Sequence, residues 1–205
     1  MTQIVISGNI GSGKTTLLKE LKERLSSKKY TFINEPVDVW KSIKDKDGVN
    51  TLQHFYNDPR KNAFNLQMLS LITRIEELKK ANEKEGKILV GERCLYEDRE
   101  IFAKMLTDDG FITPIEYETY KYYFKAFKVK EPTTIFYINT SPSECLRRIK
   151  KRGRPEEQNI KLEYLVKLDR YYLEWVCKST EFDVFFINGN NTTKQIADYI
   201  INQHL

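Results

Sequence analysis

Residues 8 to 15, Gly8-Asn9-Ile10-Gly11-Ser12-Gly13-Lys14-Thr15, have types and spacing that amount to chemistry. They fit G-x-x-x-x-G-K-[ST] in full and lie between an apolar run and a stretch of helical period, as that motif requires. Glycines allow successive backbone N–H groups to converge on phosphate oxygens, and the N-terminus of the following helix adds positive potential. Lys14 supplies charge for β- and γ-phosphates, and Thr15 supplies a hydroxyl ligand for Mg2+. The bland alternative is a glycine-rich turn before a helix.

Two acids follow apolar runs in a comparable way. Glu35 opens Glu35-Pro36-Val37-Asp38-Val39-Trp40, where the proline biases it to extended backbone, and Glu92 opens Glu92-Arg93-Cys94. Phosphoryl transfer to a hydroxyl needs a carboxylate to accept the proton, a cation for the transferring oxygens and an acid near the metal. Spacing does not say which acid is the base, and both also fit solvated loop positions. Gln67, Ser70 and Arg74 recur at i, i+3 and i+7, one polar stripe on an otherwise apolar helix. Such a stripe is either a solvated face or a reader of a polar ligand, with Arg74 held by an acid such as Asp98. Arg147-Arg148-Ile149-Lys150-Lys151-Arg152-Gly153-Arg154 holds six cations in eight residues with no acid among them. Taken as unpaired, they repel one another unless an anion sits among them. Either a lid over nucleotide phosphates or a solvated basic face explains them, and Gly153 would end the helix so that Arg154 moves independently.

These residues need a frame that puts strand ends on one edge. Short apolar runs at Gln3 to Ser7, Tyr30 to Asn34, Lys87 to Gly91, Thr133 to Asn139 and Phe182 to Asn188 alternate with helical stretches, the pattern of a parallel sheet wrapped by helices. Gly48 and Pro59 read as loop punctuation in the insertion after the second strand. At 205 residues, 40% hydrophobic and 31% charged, the chain is expected to form a single α/β domain spanning 1–205, and disorder is excluded. No apolar run is long enough for a membrane helix, and a strand beginning at once leaves no room for a leader, so a cytoplasmic protein without membrane association is expected. Cys94, Cys145 and Cys177 lack metal or disulfide spacing. The net charge is +5, and without the six cations of residues 147–154 it is −1. Nucleic acid is accordingly not expected as a partner. No Asn-Lys-x-Asp base reader accompanies the phosphate loop, which turns the expectation from a GTPase to a small-molecule kinase.

Together, the phosphate loop, Glu35-Pro36-Val37-Asp38-Val39-Trp40, Gln67 with Arg74, Glu92-Arg93 with Asp98-Arg99, and Arg148…Arg152-Gly153-Arg154…Glu156-Glu157 resemble the deoxyribonucleoside kinase family, in its deoxycytidine/deoxyguanosine/deoxyadenosine kinase branch. The resemblance runs from Gly8 to about Leu168. It implies a P-loop NTPase-type three-layer fold, a five-stranded parallel sheet flanked by helices, with an arginine-rich lid at about 148–160. It implies ATP as phosphate donor, Mg2+, a deoxynucleoside as acceptor and a homodimer formed through the insertion after the second strand. By the resemblance Glu35 is the base for the 5′-OH, Arg93 holds the 5′-oxygen and phosphate, and Glu92 joins Thr15 at the metal. Gly8 to Thr16, with Arg148, Arg152 and Arg154, contact ATP. Tyr56 and Glu157 read the 3′-OH, Gln67, Ser70, Arg74 and Asp98 surround the base, and Trp40 and Phe64 wall the pocket, with Phe102 and Phe127 as weaker candidates. Arg147, Lys150 and Lys151 are left as solvated. The Arg74–Asp98 pair disfavours thymidine and favours deoxypurines or deoxycytidine. Where the family usually has Ser after Glu-Arg, this chain has Cys94. A nucleoside monophosphate kinase and a non-catalytic nucleotide-binding relative are the rival readings.

Overall fold

The five apolar runs are strands, and they pair along their lengths. β1 (Gln3–Ser7), β2 (Tyr30–Ile33), β3 (Ile88–Glu92), β4 (Thr134–Asn139) and β5 (Asp183–Asn188) form one parallel sheet in the order β2-β3-β1-β4-β5. The structure is a computed structural model that describes residues 2–83, 87–127 and 132–205. Strand ends differ slightly from expectation: Asn34, Lys87, Thr133 and Phe182 fall outside, and Glu92 is drawn into β3.

The central strands β3, β1 and β4 are covered on both faces, which is why those runs are apolar throughout rather than alternating, whereas the edge strand β5 leaves Phe186 half exposed. Ile4 and Ile6 of β1 pack with α1 (Lys14–Arg24) and α10 (Thr193–His204), through Leu17, Leu21, Ile196 and Ile200. Val5, between them, faces the opposite layer, where it joins Leu168, Tyr172 and Val176 of α9 (Leu162–Lys178).

The long connection between β2 and β3 holds α2 (Val37–Ser42), α3 (Thr51–Asn57) and α4 (Pro59–Asn82). Pro59 is therefore not in a loop. It takes the first position of α4, where its missing N–H has no helical partner to lose, and Asp58 caps the helix by accepting from the Lys61 N–H at 3.3 Å. After β3 the chain runs through α5 (Leu95–Glu97), a π-helical segment (Asp98–Ala103), α6 (Lys104–Asp108) and α7 (Pro114–Ala126). Trp40, Phe55, Leu66, Leu71, Leu95 and Tyr120 bind these helices into their own apolar cluster.

After β4, α8 (Pro142–Arg152) is capped by Ser141 and closed by Gly153, whose φ of 68° is the left-handed stop read from the sequence. A 3-10 turn (Pro155–Glu157) leads on to α9. Cys94, Cys145 and Cys177 are free thiols. Among the described residues no helix is long and apolar enough to cross a membrane.

Candidate active site

The phosphate loop leaves the carboxyl end of β1, beside the ends of β3 and β4, at the edge where open α/β sheets hold ligands. Its glycines are required by contact as well as by φ. A Cβ on Gly8 (φ 140°) would lie 2.8 Å from the Ile138 carbonyl, and one on Gly11 (φ 81°) 2.6 Å from the Cys145 carbonyl of α8. Asn9 braces the loop by donating Nδ2 to the Leu165 carbonyl at 2.9 Å, and Ser12 lies buried beneath it. Lys14 is also buried and folds back along the loop, its Nζ donating to the Gly8 and Asn9 carbonyls at 2.9 and 2.7 Å. Burial, with Arg93 adding to it, lowers its pKa to about 8 against the pull of Glu92 and Glu35.

The acids at the same edge are held by different partners. The Thr15 hydroxyl donates to Glu92 Oε1 at 2.9 Å, so two side-chain oxygens sit side by side. Glu35 Oε1 takes the Arg74 Nη2 at 2.7 Å and the Arg93 Nη1 as well. Burial works to raise the Glu35 carboxyl, but Arg93, Arg74 and Lys14 outweigh it and hold it at about 2. Arg93 turns out of β3 with a left-handed φ of 62°, and its Nε donates to the Tyr172 hydroxyl at 3.0 Å.

The helical stripe faces this group. Arg74 Nε approaches Asp98 Oδ2 at 2.7 Å as an ion pair, its Nη1 donates to the Glu92 carbonyl at 3.0 Å, and Ser70 Oγ donates to the same Asp98 oxygen at 2.9 Å. Burial and Asp98 act oppositely on Arg74, and Asp98 with Glu35 prevails, so its pKa rises. The Gln67 side-chain oxygen is buried with no partner among the described residues. It lines a cleft of about 570 Å³ together with Glu35, Ser70, Asp98, Trp40 and Tyr56, a volume within the range of small-molecule sites.

That cleft is continuous with the phosphate loop, so most of the predicted residues meet in one place. Ile10, Gly11, Gly13, Lys14, Thr15 and Thr16 form its floor, and Glu92, Arg93, Arg148, Arg152, Arg154 and Glu157 also line it. Gly8, Asn9 and Ser12 support the loop from behind, and Arg74 acts through Asp98 and Glu35 rather than by lining the cleft. Phe64 does not reach it: half-buried, it packs into the apolar cluster of the surrounding helices. Phe102 lines the cleft, whereas Phe127 caps the C-terminus of α7, exposed and away from it.

The arginine segment is paired rather than repelling itself. Arg147 and Arg148 both hold Glu144, and Arg152 and Arg154 bind the two oxygens of Glu157 at 2.5 and 3.2 Å. Arg148 also donates to the Ser12 and Gly189 carbonyls at 2.9 Å each, which ties α8 to the phosphate loop. Lys151, taken as solvated, is exposed yet lines the cleft, as do Lys19, Leu52 and Tyr164, which sequence reasoning passed over. Glu144, four residues before Arg148, was the available signal for the pairing. Tyr56 and Glu157, the two expected sugar readers, line the same cleft, and burial, with Tyr164 and Glu157, pushes the Tyr56 hydroxyl well above its ordinary pKa.

Comparison with known proteins bears on this arrangement. A family model described as deoxynucleoside kinase matches residues 4–204. The chain is 32% identical over 202 residues to deoxycytidine kinase 2 of Gallus gallus, covering 88% of this chain and 76% of that protein. It is 31% identical over 209 residues to the deoxyadenosine/deoxycytidine kinase of Bacillus subtilis, covering 96% and 90%. The solved structure of deoxyadenosine kinase from M. mycoides with products dCMP and a flexible dCDP bound superposes with a TM-score of 0.83 at 28% identity, over 98% of both chains.

Proposed function

Since this chain belongs to the deoxynucleoside kinase family and has its P-loop NTPase-type fold, we propose that it phosphorylates deoxycytidine or a deoxypurine at the 5′-OH with ATP, and does so poorly with thymidine. The single observation that carries the reading is the convergence of Lys14, Glu35 and Arg93 with the Gln67–Ser70–Asp98 wall in one cleft.

In this reading the donor phosphates lie on the phosphate loop, where Lys14 exchanges two backbone carbonyls for phosphate oxygens. Both guanidinium contacts of Glu35 fall on Oε1, so Oε2 is the oxygen that accepts the 5′-hydroxyl proton. A carboxylate held near 2 is a weak base, which suits a loose transition state in which the proton leaves late. Arg93, bonded to Glu35, follows the transferring group. The orphaned Gln67 oxygen accepts from an exocyclic amino group, which adenine and cytosine carry and thymine lacks. Thymine's ring N3–H satisfies that oxygen as well, so the preference against thymidine rests on the charged Arg74–Asp98 pair, whose carboxylate suits an amino group and repels the carbonyl oxygen that thymine offers instead. Magnesium fits Thr15 and Glu92, two hard oxygen donors in contact, which would hold it. When bound it would neutralise charge between the donor's phosphates. A homodimer through the insertion belongs to the proposal, supported by exposed Val39 and Ile43 around α2 and Ile72 on α4; sedimentation equilibrium tests it.

The decisive experiment is an ATP-coupled assay across the four deoxynucleosides, their monophosphates and their ribose counterparts. ADP release with deoxycytidine, deoxyadenosine or deoxyguanosine, at a kcat/KM at least about tenfold above thymidine, is expected, since a mismatched partner at the buried Arg74–Asp98 pair costs roughly 1–3 kcal/mol. Turnover of monophosphates alone, or a preference for thymidine, overturns the reading.

A further inference from the structure

Arg93 is the one residue other than glycine, among those described, with a left-handed backbone. An L side chain keeps that conformation only where its surroundings impose it. The peptide before it is fixed by the sheet, since the Arg93 N–H donates to the Ile6 carbonyl at 3.1 Å. The peptide after it is fixed by Glu97: Oε2 accepts the Cys94 N–H at 2.8 Å. The other oxygen, Oε1, receives the Ser7 hydroxyl at 2.8 Å. Ser7 ends β1 and immediately precedes the phosphate loop. One side chain therefore ties the turn that presents Arg93 to the strand end that launches Gly8.

Glu97 is fully buried and does not line the cleft, so it has no contact through which to act on substrate directly. A buried carboxyl group is costly to desolvate, and an apolar residue in its place would avoid that cost while leaving the Cys94 N–H and the Ser7 hydroxyl unpaired. We propose that Glu97 is a positioning residue for phosphoryl transfer, clamping the Cys94 amide to the Ser7 hydroxyl and so fixing Arg93 relative to the phosphate loop. The inference rests on the role given above to Arg93 and names the residue that role depends on.

The clamp needs shape and hydrogen bonding more than charge. A glutamine has the same outline: its oxygen accepts from Cys94 and its amide donates to the Ser7 hydroxyl, which accepts as readily as it donates. Alanine does neither. Glu97→Ala is therefore expected to lower kcat about tenfold or more, with the dissociation constant for deoxycytidine or deoxyadenosine, measured by calorimetry without donor, within about twofold of wild type. Glu97→Gln restores kcat to within about threefold. Loss of nucleoside binding in parallel with kcat, failure of glutamine to rescue, or an alanine variant at wild-type turnover each overturns the proposal. If Glu97→Ala does not fold, Ser7→Ala removes one arm of the clamp with little change in volume. It should lower kcat roughly threefold at unchanged nucleoside affinity, and an unchanged kcat overturns the proposal. Wild-type turnover with a deoxynucleoside is measured alongside: its absence defeats the kinase reading, whereas its presence with indifferent variants defeats only the role of Glu97.

Discussion

Two carboxyl groups stand on either side of Arg93, Glu97 fully buried and Glu35 open to the cleft, and their partners drive them in opposite directions. Glu35 receives two guanidinium groups directly and is held at about 2, whereas Glu97 receives only a hydroxyl and a backbone N–H, and burial carries it to about 7 in spite of Arg93, Lys14 and Arg74 nearby. Direct pairing thus keeps Glu35 fully ionised at neutral pH while Glu97 sits near its midpoint, and the fully ionised group faces the cleft. Replacing Glu35 by Gln should reduce kcat about 10²-fold or more while deoxynucleoside still binds, since removal of a positioned base typically has that effect. Turnover within a few-fold of wild type would remove Glu35 from the chemistry. The second carboxyl predicts a pH dependence of stability. Because its folded value lies above its unfolded value of about 4.5, the unfolded chain gives up this proton first as pH rises, and stability from this group falls between about pH 4.5 and 7. Glu97→Gln removes that slope. Melting curves at pH 5 and pH 8 should show the variant gaining on the wild type at the higher pH, by on the order of 1–3 kcal/mol; parallel curves would count against a neutral buried Glu97.

At the scale of elements, the phosphate loop and α8 form one unit. Gly11 touches the α8 backbone, and Arg148 bonds to the loop at Ser12, so the arginines after α8 are carried on a helix that is already docked. Gly11→Ala forces a Cβ to within 2.6 Å of the Cys145 carbonyl at a φ unfavourable to alanine. It should destabilise the protein by roughly 2–4 kcal/mol and weaken ATP binding more than tenfold, while deoxynucleoside affinity changes little. Thermal denaturation with separate titrations of the two ligands checks this, and equal loss of both affinities would mean the loop and the nucleoside wall are not independent. Much at this scale was legible beforehand. The central strands were short and apolar because both of their faces are covered, and the loop motif sat where a strand meets a helix. What was not legible involved partners remote in sequence. Glu97 sits in Tyr96-Glu97-Asp98-Arg99-Glu100, which looks like a solvated helix face, and Ser7 lies 90 residues away. The π-helical segment carrying Asp98 and Phe102 has no compositional mark, since a widened turn is set by the packing around it. Pro59 read as a loop residue because proline at the first helical position and proline in a turn look alike without a view of the cap.

For the molecule as a whole, the charge is separated rather than spread. The net +5 becomes −1 without residues 147–154, and three arginines of that segment line the same cleft as Lys14 and Lys19. Internal acids hold these cations: Glu144 for Arg147 and Arg148, and Glu157 for Arg152 and Arg154. A triphosphate entering the cleft must compete with those carboxylates. The two substrates should therefore respond differently to ionic strength. Attraction of a polyanion to a partly exposed arginine cluster is screened by salt, with a Debye length of roughly 10 Å at 0.1 M and 3 Å at 1 M, whereas an uncharged nucleoside recognised by buried groups is not. Raising NaCl from 50 to 500 mM is expected to increase the ATP dissociation constant by about tenfold and leave that of the deoxynucleoside within about twofold. Replacing Arg152 and Arg154 together by Gln should flatten the ATP curve, since it removes two of the three arginines of the segment that line the cleft and leaves Arg148 and Lys14 in place. A salt response equal for both ligands, or unchanged in that double variant, would locate the attraction elsewhere than in the arginine segment.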